Sequence, residues 1–218
     1  MWLTRPPGVY PPQHDTWLLV EALAAAAIRP GANVLDIGCG TGALSIAAAS
    51  TRPSTITAVD VSRRAVCAAR VNTLLRGIRA RIHCGDAFER VAGRTFDLIL
   101  ANPPYVPGIA DPPQGRDRAW DAGVDGREFL NRLCANVPLL LTPGGTLLMV
   151  HSALSDVDKT LHQLRGGGLK AAVVARMEAP FGPVMRARKE RLRELGFIEP
   201  GQRFEELVVI RGDRTATP

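Results

Sequence analysis

The chain reads as an α/β protein built on a doubly wound, mainly parallel sheet, and three features predict this. Short apolar runs alternate with helix-period segments along most of the 218 residues. Phe96 to Ala101 is apolar almost without interruption, the form of a parallel strand covered on both faces. Asn33 to Ile37 runs directly into the glycine-rich stretch 38 to 42, which opens the next helix.

The elements follow in order. Asp15 or Thr16 is positioned to cap a helix reaching about Ile28, and Pro30-Gly31 stops it before the strand Asn33 to Ile37. A helix from the glycine run reaches about Ser50, and Ile56 to Val59 is a short buried strand. Ser62 caps a helix to about Arg76, which Gly77 ends before the strand Arg81 to Cys84. Phe96 to Ala101 stops at Asn102-Pro103-Pro104. A Pro-, Gly- and Asp-rich loop from Pro107 to about Gly123 precedes a helix from Gly126 to Val137 and a strand from Thr146 to Val150. The last third reads as a helix (Ser155 to Leu164), a strand (Leu169 to Arg176), a basic helix (Val184 to Leu195) and a strand (Leu207 to Ile210).

Composition narrows the function classes. With 46% hydrophobic and 22% charged residues, the chain has enough apolar content for one sizeable core, and one domain over 1–218 is expected: an N-terminal segment and helix (1–32), a core (33–150) and a C-terminal part (151–218). The longest apolar stretch, Trp17 to Ile28, is broken by Glu21 and falls short of the ~20 residues of a membrane-spanning helix. The Pro-rich N-terminus lacks the apolar core of a secretory signal, so a cytoplasmic address and no membrane are expected. Cys39, Cys67, Cys84 and Cys134 form no C-x-x-C pair, and the four histidines show no ligand spacing, so reduced thiols and no metal are expected. Net charge is +6, and only Lys159, Lys170 and Lys189 among the 27 basic residues are lysine. An Arg-rich surface suits phosphate or carboxylate partners, and a GC-rich genome accounts for it equally.

Two motifs carry chemistry. The first is Asp36-Ile37-Gly38-Cys39-Gly40-Thr41-Gly42, where a strand turns into a helix. Glycines let backbone approach a ligand, and the N–H groups of the following helix favour an anionic group. The glycines at 38, 40 and 42 miss the G-x-G-x-x-G spacing of dinucleotide enzymes. Asp60 lies 22 positions after Gly38, close to the roughly 20-residue offset at which a carboxylate meets ribose hydroxyls. Asp86 follows Gly85 at the end of the third strand.

The second motif is Asn102-Pro103-Pro104-Tyr105. In a sheet of order 3-2-1-4-5, the first and fourth strands are neighbours, so this tetrapeptide meets the glycine loop at one carboxyl edge. Pro103 and Pro104 have no N–H, so the local groups are mostly acceptors and suit a planar NH2: the Asn102 side-chain oxygen and the Pro103 carbonyl each accept one hydrogen. Tyr105 is expected to stack on the flat face of the conjugated group. Amide and exocyclic amine nitrogens are poor nucleophiles, so the site must orient them, and no strong base is required.

The first motif resembles motif I of the class I methyltransferases that use S-adenosylmethionine. With the second motif, and with Val9-Tyr10-x-Pro12-x-x-Asp15-Thr16, the chain from about Val9 to Val150 resembles the HemK/PrmC-like protein glutamine methyltransferases, more particularly their short single-domain branch. The resemblance implies a Rossmann-like class I methyltransferase fold, a seven-stranded mostly parallel sheet of order 3-2-1-4-5-7-6 with an antiparallel last strand. It implies S-adenosyl-L-methionine as cofactor, S-adenosyl-L-homocysteine as product, and cofactor contacts from Thr16, Asp36, Gly38, Gly40, Asp60, Asp86, Ala87 and Asn102. Asn102, Pro103 and Tyr105 are the expected catalytic residues. The acceptor it implies is an exposed glutamine of a protein, with a translation release factor as the candidate, and a small accessory subunit covering an apolar edge is a further expectation. Ala119-Trp120-Asp121-Ala122-Gly123-x-x-Gly126-Arg127-Glu128 looks like the segment that follows the substrate loop in this branch.

There are departures from the pattern. Only about 32 residues precede the first strand, so no counterpart is expected of the helical domain with which bacterial PrmC grips release factors. Arg186, Arg188, Lys189, Arg191 and Arg193 lie beyond the matched part and read as a solvated amphipathic helix paired with Glu190 and Glu194. Trp2, Trp17 and Trp120 are candidate exposed aromatics, Trp17 fitting the core better. Two rivals keep their place: adenine N6 of RNA or DNA as the acceptor, with the same chemistry, and a cofactor-binding partner without catalysis.

Overall fold

The computed structural model describes residues 2–107, 123 and 125–216. Seven strands form one sheet: β1 (Asn33–Ile37), β2 (Thr55–Asp60), β3 (Ala80–Cys84), β4 (Phe96–Ala101), β5 (Leu141–Ser152), β6 (Leu169–Pro180) and β7 (Phe204–Arg214). Their order is β3-β2-β1-β4-β5-β7-β6, parallel from β3 to β5, with β7 antiparallel to both its neighbours. The helices are α1 (His14–Ala25), α2 (Ala43–Ala48), α3 (Arg63–Leu74), α4 (Ala87–Arg90), α5 (Glu128–Leu140), α6 (Val157–Gly166), α7 (Pro183–Ala187) and α8 (Lys189–Glu194).

The core is the centre of the sheet. Val34, Leu35 and Ile37 of β1, Leu98 to Ala101 of β4 and Leu147 to Val150 of β5 are all buried. At roughly 1.5–3 kcal/mol for each fully buried large side chain, these central strands supply much of the driving force for folding. Asp97 ties their amino ends together by accepting from the Asn33 amide at 2.9 Å, the Thr142 hydroxyl at 2.8 Å and the Arg29 guanidinium at 2.6 Å.

Several boundaries differ from expectation, each for a local reason. Neither Asp15 nor Thr16 caps the first helix: α1 starts one residue earlier, and the Asp15 carboxylate turns inward. Its far end stops at Ala25, short of Ile28, because Ala27 takes a positive φ of 49°. Ser62 does cap α3, accepting from the Ala65 amide. β5 starts at Leu141 because Leu141 pairs with Phe96, and a register shift then takes up Pro143-Gly144-Gly145. β6 and β7 run on as a long hairpin to Pro180 and Phe204, with a shift between Val173 and Ala175. The basic helix is two short ones that break at Arg188, and its ion pairs, Arg191 with Glu194 and Arg193 with Glu190, are at i,i+3 spacing. Most of the expected loop, residues 108–122 with Trp120, lies outside the described residues. No described helix is long and apolar enough to cross a membrane.

Candidate active site

Register brings the two motifs together. Ile37 pairs with Ala101, so Gly38 and Asn102 leave neighbouring strands at the same level. Asp60 pairs with Cys84, which places Asp60 beside Gly85 and Asp86 on that same carboxyl edge. A cleft of about 690 Å³ runs along this edge, lined by Thr16, Gly38, Gly40, Asp60, Asp86, Ala87, Asn102 and Pro103 among others. It also exposes Phe129 and Arg132 of α5, which the sequence reading did not include.

The floor of the cleft is backbone. Gly38 and Gly40 have φ of +70° and +54°, and a Cβ added at Gly38 would meet nothing within 4 Å, so the space beside this turn is open. Asp60 steadies the turn by accepting from the Gly40 amide at 2.9 Å and the Ser62 amide at 2.8 Å. Burial raises its pKa, against the pull of those two amides. Asp86 caps α4, accepting from Phe88 and Glu89 N–H, and forms a 2.9 Å ion pair with Arg132. Partial burial would raise its carboxyl, but the Arg132 guanidinium and the two amides outweigh it and hold the pKa below the ordinary value. Phe88 stacks on Phe129 and lies under Arg132, forming an aromatic wall.

Asp36 stands apart from the cleft. It is fully buried, and its Oδ2 accepts from the Ser45 hydroxyl at 2.6 Å and the Ser45 amide at 3.0 Å. Its observed role is to clamp α2 beneath the glycine turn. Burial pushes its pKa up to about 7 despite the two Ser45 hydrogen bonds.

Around Asn102 and Asp15 lies a closed polar network. Asn102 Nδ2 donates to Thr16 Oγ1 at 3.2 Å, which leaves Oδ1 free to accept. The Thr16 amide and hydroxyl both donate to Asp15 Oδ1, at 2.6 and 3.2 Å. Asp15 Oδ2 takes the hydroxyls of Tyr10 at 3.0 Å and Tyr105 at 3.1 Å. Tyr105 is therefore not a stacking face open to a ligand: it is 7% exposed and its hydroxyl is committed inward. Burial, with the Asp15 charge, raises both tyrosine hydroxyls above their ordinary range.

A second, smaller pocket of about 40 Å³ opens on the other side of Asn102-Pro103-Pro104, lined also by Tyr10, Gln13, Asp15, Tyr105 and Glu205. Gly126 lets the chain pack tightly against the Tyr105 backbone, since a Cβ there would lie 2.6 Å from the Tyr105 carbonyl oxygen. The buried Arg127 donates to the Ser155 and Asp156 carbonyls, the Thr160 hydroxyl and Gln163 Oε1, fastening the start of α5 to α6. The sequence holds Tyr10 and Asp15 in a recognisable stretch, but nothing in it pointed to Glu205.

Fold and site define a class I methyltransferase, and comparison with known proteins specifies the kind. Residues 1–172 match the methyltransferase small domain family. A protein assigned as an N5-glutamine methyltransferase in Methanocaldococcus jannaschii is 36% identical over 181 residues, 82% of this chain and 90% of its own length. The release factor glutamine methyltransferase of Geobacter sulfurreducens is 36% identical over 71% of this chain, which spans only 57% of that relative. Among solved structures, the E. cuniculi Mtq2–Trm112 complex, responsible for methylation of the eRF1 translation termination factor, superposes with a TM-score of 0.67 at 22% identity, covering 95% of this chain and 99% of that one. The chain belongs to the methyltransferase small domain family, in its HemK/PrmC-like branch, and is an S-adenosylmethionine-dependent methyltransferase.

Proposed function

We propose that this chain methylates the side-chain amide nitrogen of a glutamine in a protein, a translation release factor being the substrate. The observation that carries this reading is the small pocket of about 40 Å³ beyond Asn102 and Pro103, where Asn102 Oδ1 and the Pro103 carbonyl offer acceptors to a planar NH2 group. The relatives assigned as glutamine methyltransferases support a carboxamide over adenine N6 as the group that enters it.

The cofactor suits the residues of the larger cleft. The side-chain-free turn at Gly38 and Gly40 admits its amino-acid end, Asp60 accepts from ribose hydroxyls, and Asp86 with Ala87 borders the base. Bound there, S-adenosylmethionine supplies an electrophilic methyl group on a positively charged sulfur and leaves as S-adenosylhomocysteine. Asn102 and Pro103 border both spaces and Thr16 borders the cleft, whereas Asp36 acts from below through Ser45.

In the acceptor pocket, Asn102 Oδ1 and the Pro103 carbonyl take the two amide hydrogens and turn the nitrogen towards the cleft. Thr16, itself tied to Asp15, holds the Asn102 side chain with its oxygen outward. The buried walls keep water from competing for those N–H groups. Tyr105 serves by anchoring Asp15 rather than by stacking.

A small accessory subunit is proposed to cover the β3 edge. β3 is an edge strand, and beside it Leu74 and Leu75 are 77% and 66% exposed, with Val71 and Trp2 also open. An unpaired edge flanked by exposed leucines is a surface that a partner covers.

The test uses purified protein, labelled S-adenosylmethionine and the release factor of the same organism. The expected result is label on one glutamine, located by peptide mass mapping, and its loss with Asn102→Ala. Turnover that survives Asn102→Ala refutes the mechanism.

A further inference from the structure

Glu205 lies on β7, far in sequence from every motif, yet it lines the acceptor pocket together with Asn102 and Pro103. It is 7% exposed, the Ser152 hydroxyl is a hydrogen-bonding partner, and its Oε2 has none. An unpaired buried carboxyl oxygen costs stability, and such a cost persists where a ligand repays it.

The donors around the pocket narrow what Glu205 does. A carboxamide presents two N–H groups and one carbonyl oxygen. Asn102 Oδ1 and the Pro103 carbonyl suit the two hydrogens, but the carbonyl needs a donor. The Tyr10 and Tyr105 hydroxyls are both spent on Asp15, Gln13 hydrogen-bonds Tyr10, and Pro103 and Pro104 have no N–H. Among the described lining side chains this leaves the second amide hydrogen of Gln13 and the carboxyl of Glu205, and Glu205 is the one with a buried oxygen that has no partner.

Resting on the glutamine reading above, we propose that Glu205 is a binding residue for the acceptor, its protonated carboxyl donating to the carbonyl oxygen of the amide. It thereby sets which end of the amide faces Asn102 and presents the nitrogen, not the oxygen, to the methyl group. Burial is the main reason why this carboxyl holds a proton near neutrality. It pushes the group up to about 7, against the Ser152 hydroxyl, and the Asp15 charge adds to the effect. Among the described residues, the groups that bear on it electrostatically are Asp15 from α1, Tyr10 from the N-terminal segment and Tyr105 beyond β4, while Glu178, Arg203 and Glu206 share a neighbouring surface pocket with it. From α7, the pocket receives Val184 and Met185.

Propionamide, the glutamine side chain without its backbone, tests this by saturation-transfer NMR on protein loaded with S-adenosylhomocysteine, between pH 6 and 8.5. Retained S-adenosylhomocysteine binding shows that each variant is folded. Glu205→Ala is expected to weaken propionamide about tenfold or more, the loss of one buried hydrogen bond. Glu205→Gln, whose Nε2 still donates, is expected to restore binding to within about threefold. Wild-type binding is expected to fall above about pH 7, and that of Glu205→Gln to stay level. Equal binding and one pH profile in all three proteins overturn the role of Glu205 while leaving the glutamine reading intact. Binding of free adenine in place of propionamide overturns both.

Discussion

The two sides of Asn102 are built on different principles. The cofactor side is open and made largely of backbone: a glycine turn, two strand-end carboxylates and an aromatic wall around about 690 Å³. The acceptor side is closed and made of side chains, with Tyr10, Asp15, Thr16, Asn102 and Tyr105 joined by hydrogen bonds around about 40 Å³. A ligand shared by many enzymes needs a shape that any sequence with the right glycines supplies. A small planar acceptor needs each lone pair and proton placed, and this requires residues from several segments.

The largest effect should come where the two sides meet. Asn102→Ala removes the group that orients the nitrogen, and kcat should fall by about 10²-fold or more while S-adenosylmethionine binding, followed by calorimetry, changes little. Next, Asp15→Ala leaves the buried Tyr105 hydroxyl, the half-buried Tyr10 hydroxyl and the Thr16 amide without this acceptor. Several unsatisfied groups at ~1–3 kcal/mol each should lower unfolding stability by at least about 2 kcal/mol, read from a urea titration. On the cofactor side, Asp60→Ala should weaken S-adenosylmethionine about tenfold or more and leave the KM for the acceptor nearly unchanged. A matching rise in both constants would mean that the two sides are not separable.

The pH dependence of stability sharpens the comparison, because each side holds one buried carboxyl raised to about 7: Asp36 beneath the glycine turn and Glu205 in the acceptor pocket. Both bind a proton more tightly folded than unfolded, so stability should fall as pH rises from about 4 to about 7 and level off above. Glu205→Gln should remove its share of that slope and keep the share from Asp36. A urea midpoint that climbs over this range contradicts the assignment. The smallest effect belongs to the exposed pairs of α8: Arg191→Ala should move stability by no more than about 0.5 kcal/mol.

This contrast also explains what was legible in the sequence. The glycine turn, Asp60 and the adjacency of Asn102 follow from contiguous motifs and from the rule that parallel strands deliver their carboxyl ends to one edge, whereas the seven-strand order and the place of Asp86 follow from the family resemblance. Asp15 read as a helix cap because local rules know only the nearest backbone amides, whereas its actual partners include Tyr105, ninety residues away. Tyr105 read as a stacking platform for the same reason. Glu205 gave no signal, since one acidic residue at the start of a strand looks like any solvent-facing position until the fold buries it. The split of the basic segment at Arg188 was equally hidden, because helix period and charge continue through it.

The central claim is that the acceptor is a protein amide, and label partition in a cell extract tests it most directly. The extract is incubated with this protein and methyl-labelled S-adenosylmethionine, then divided between protease and nuclease. Release of the label by protease alone, and its absence with Asn102→Ala, is the predicted result. Release by nuclease would contradict it and make adenine the acceptor.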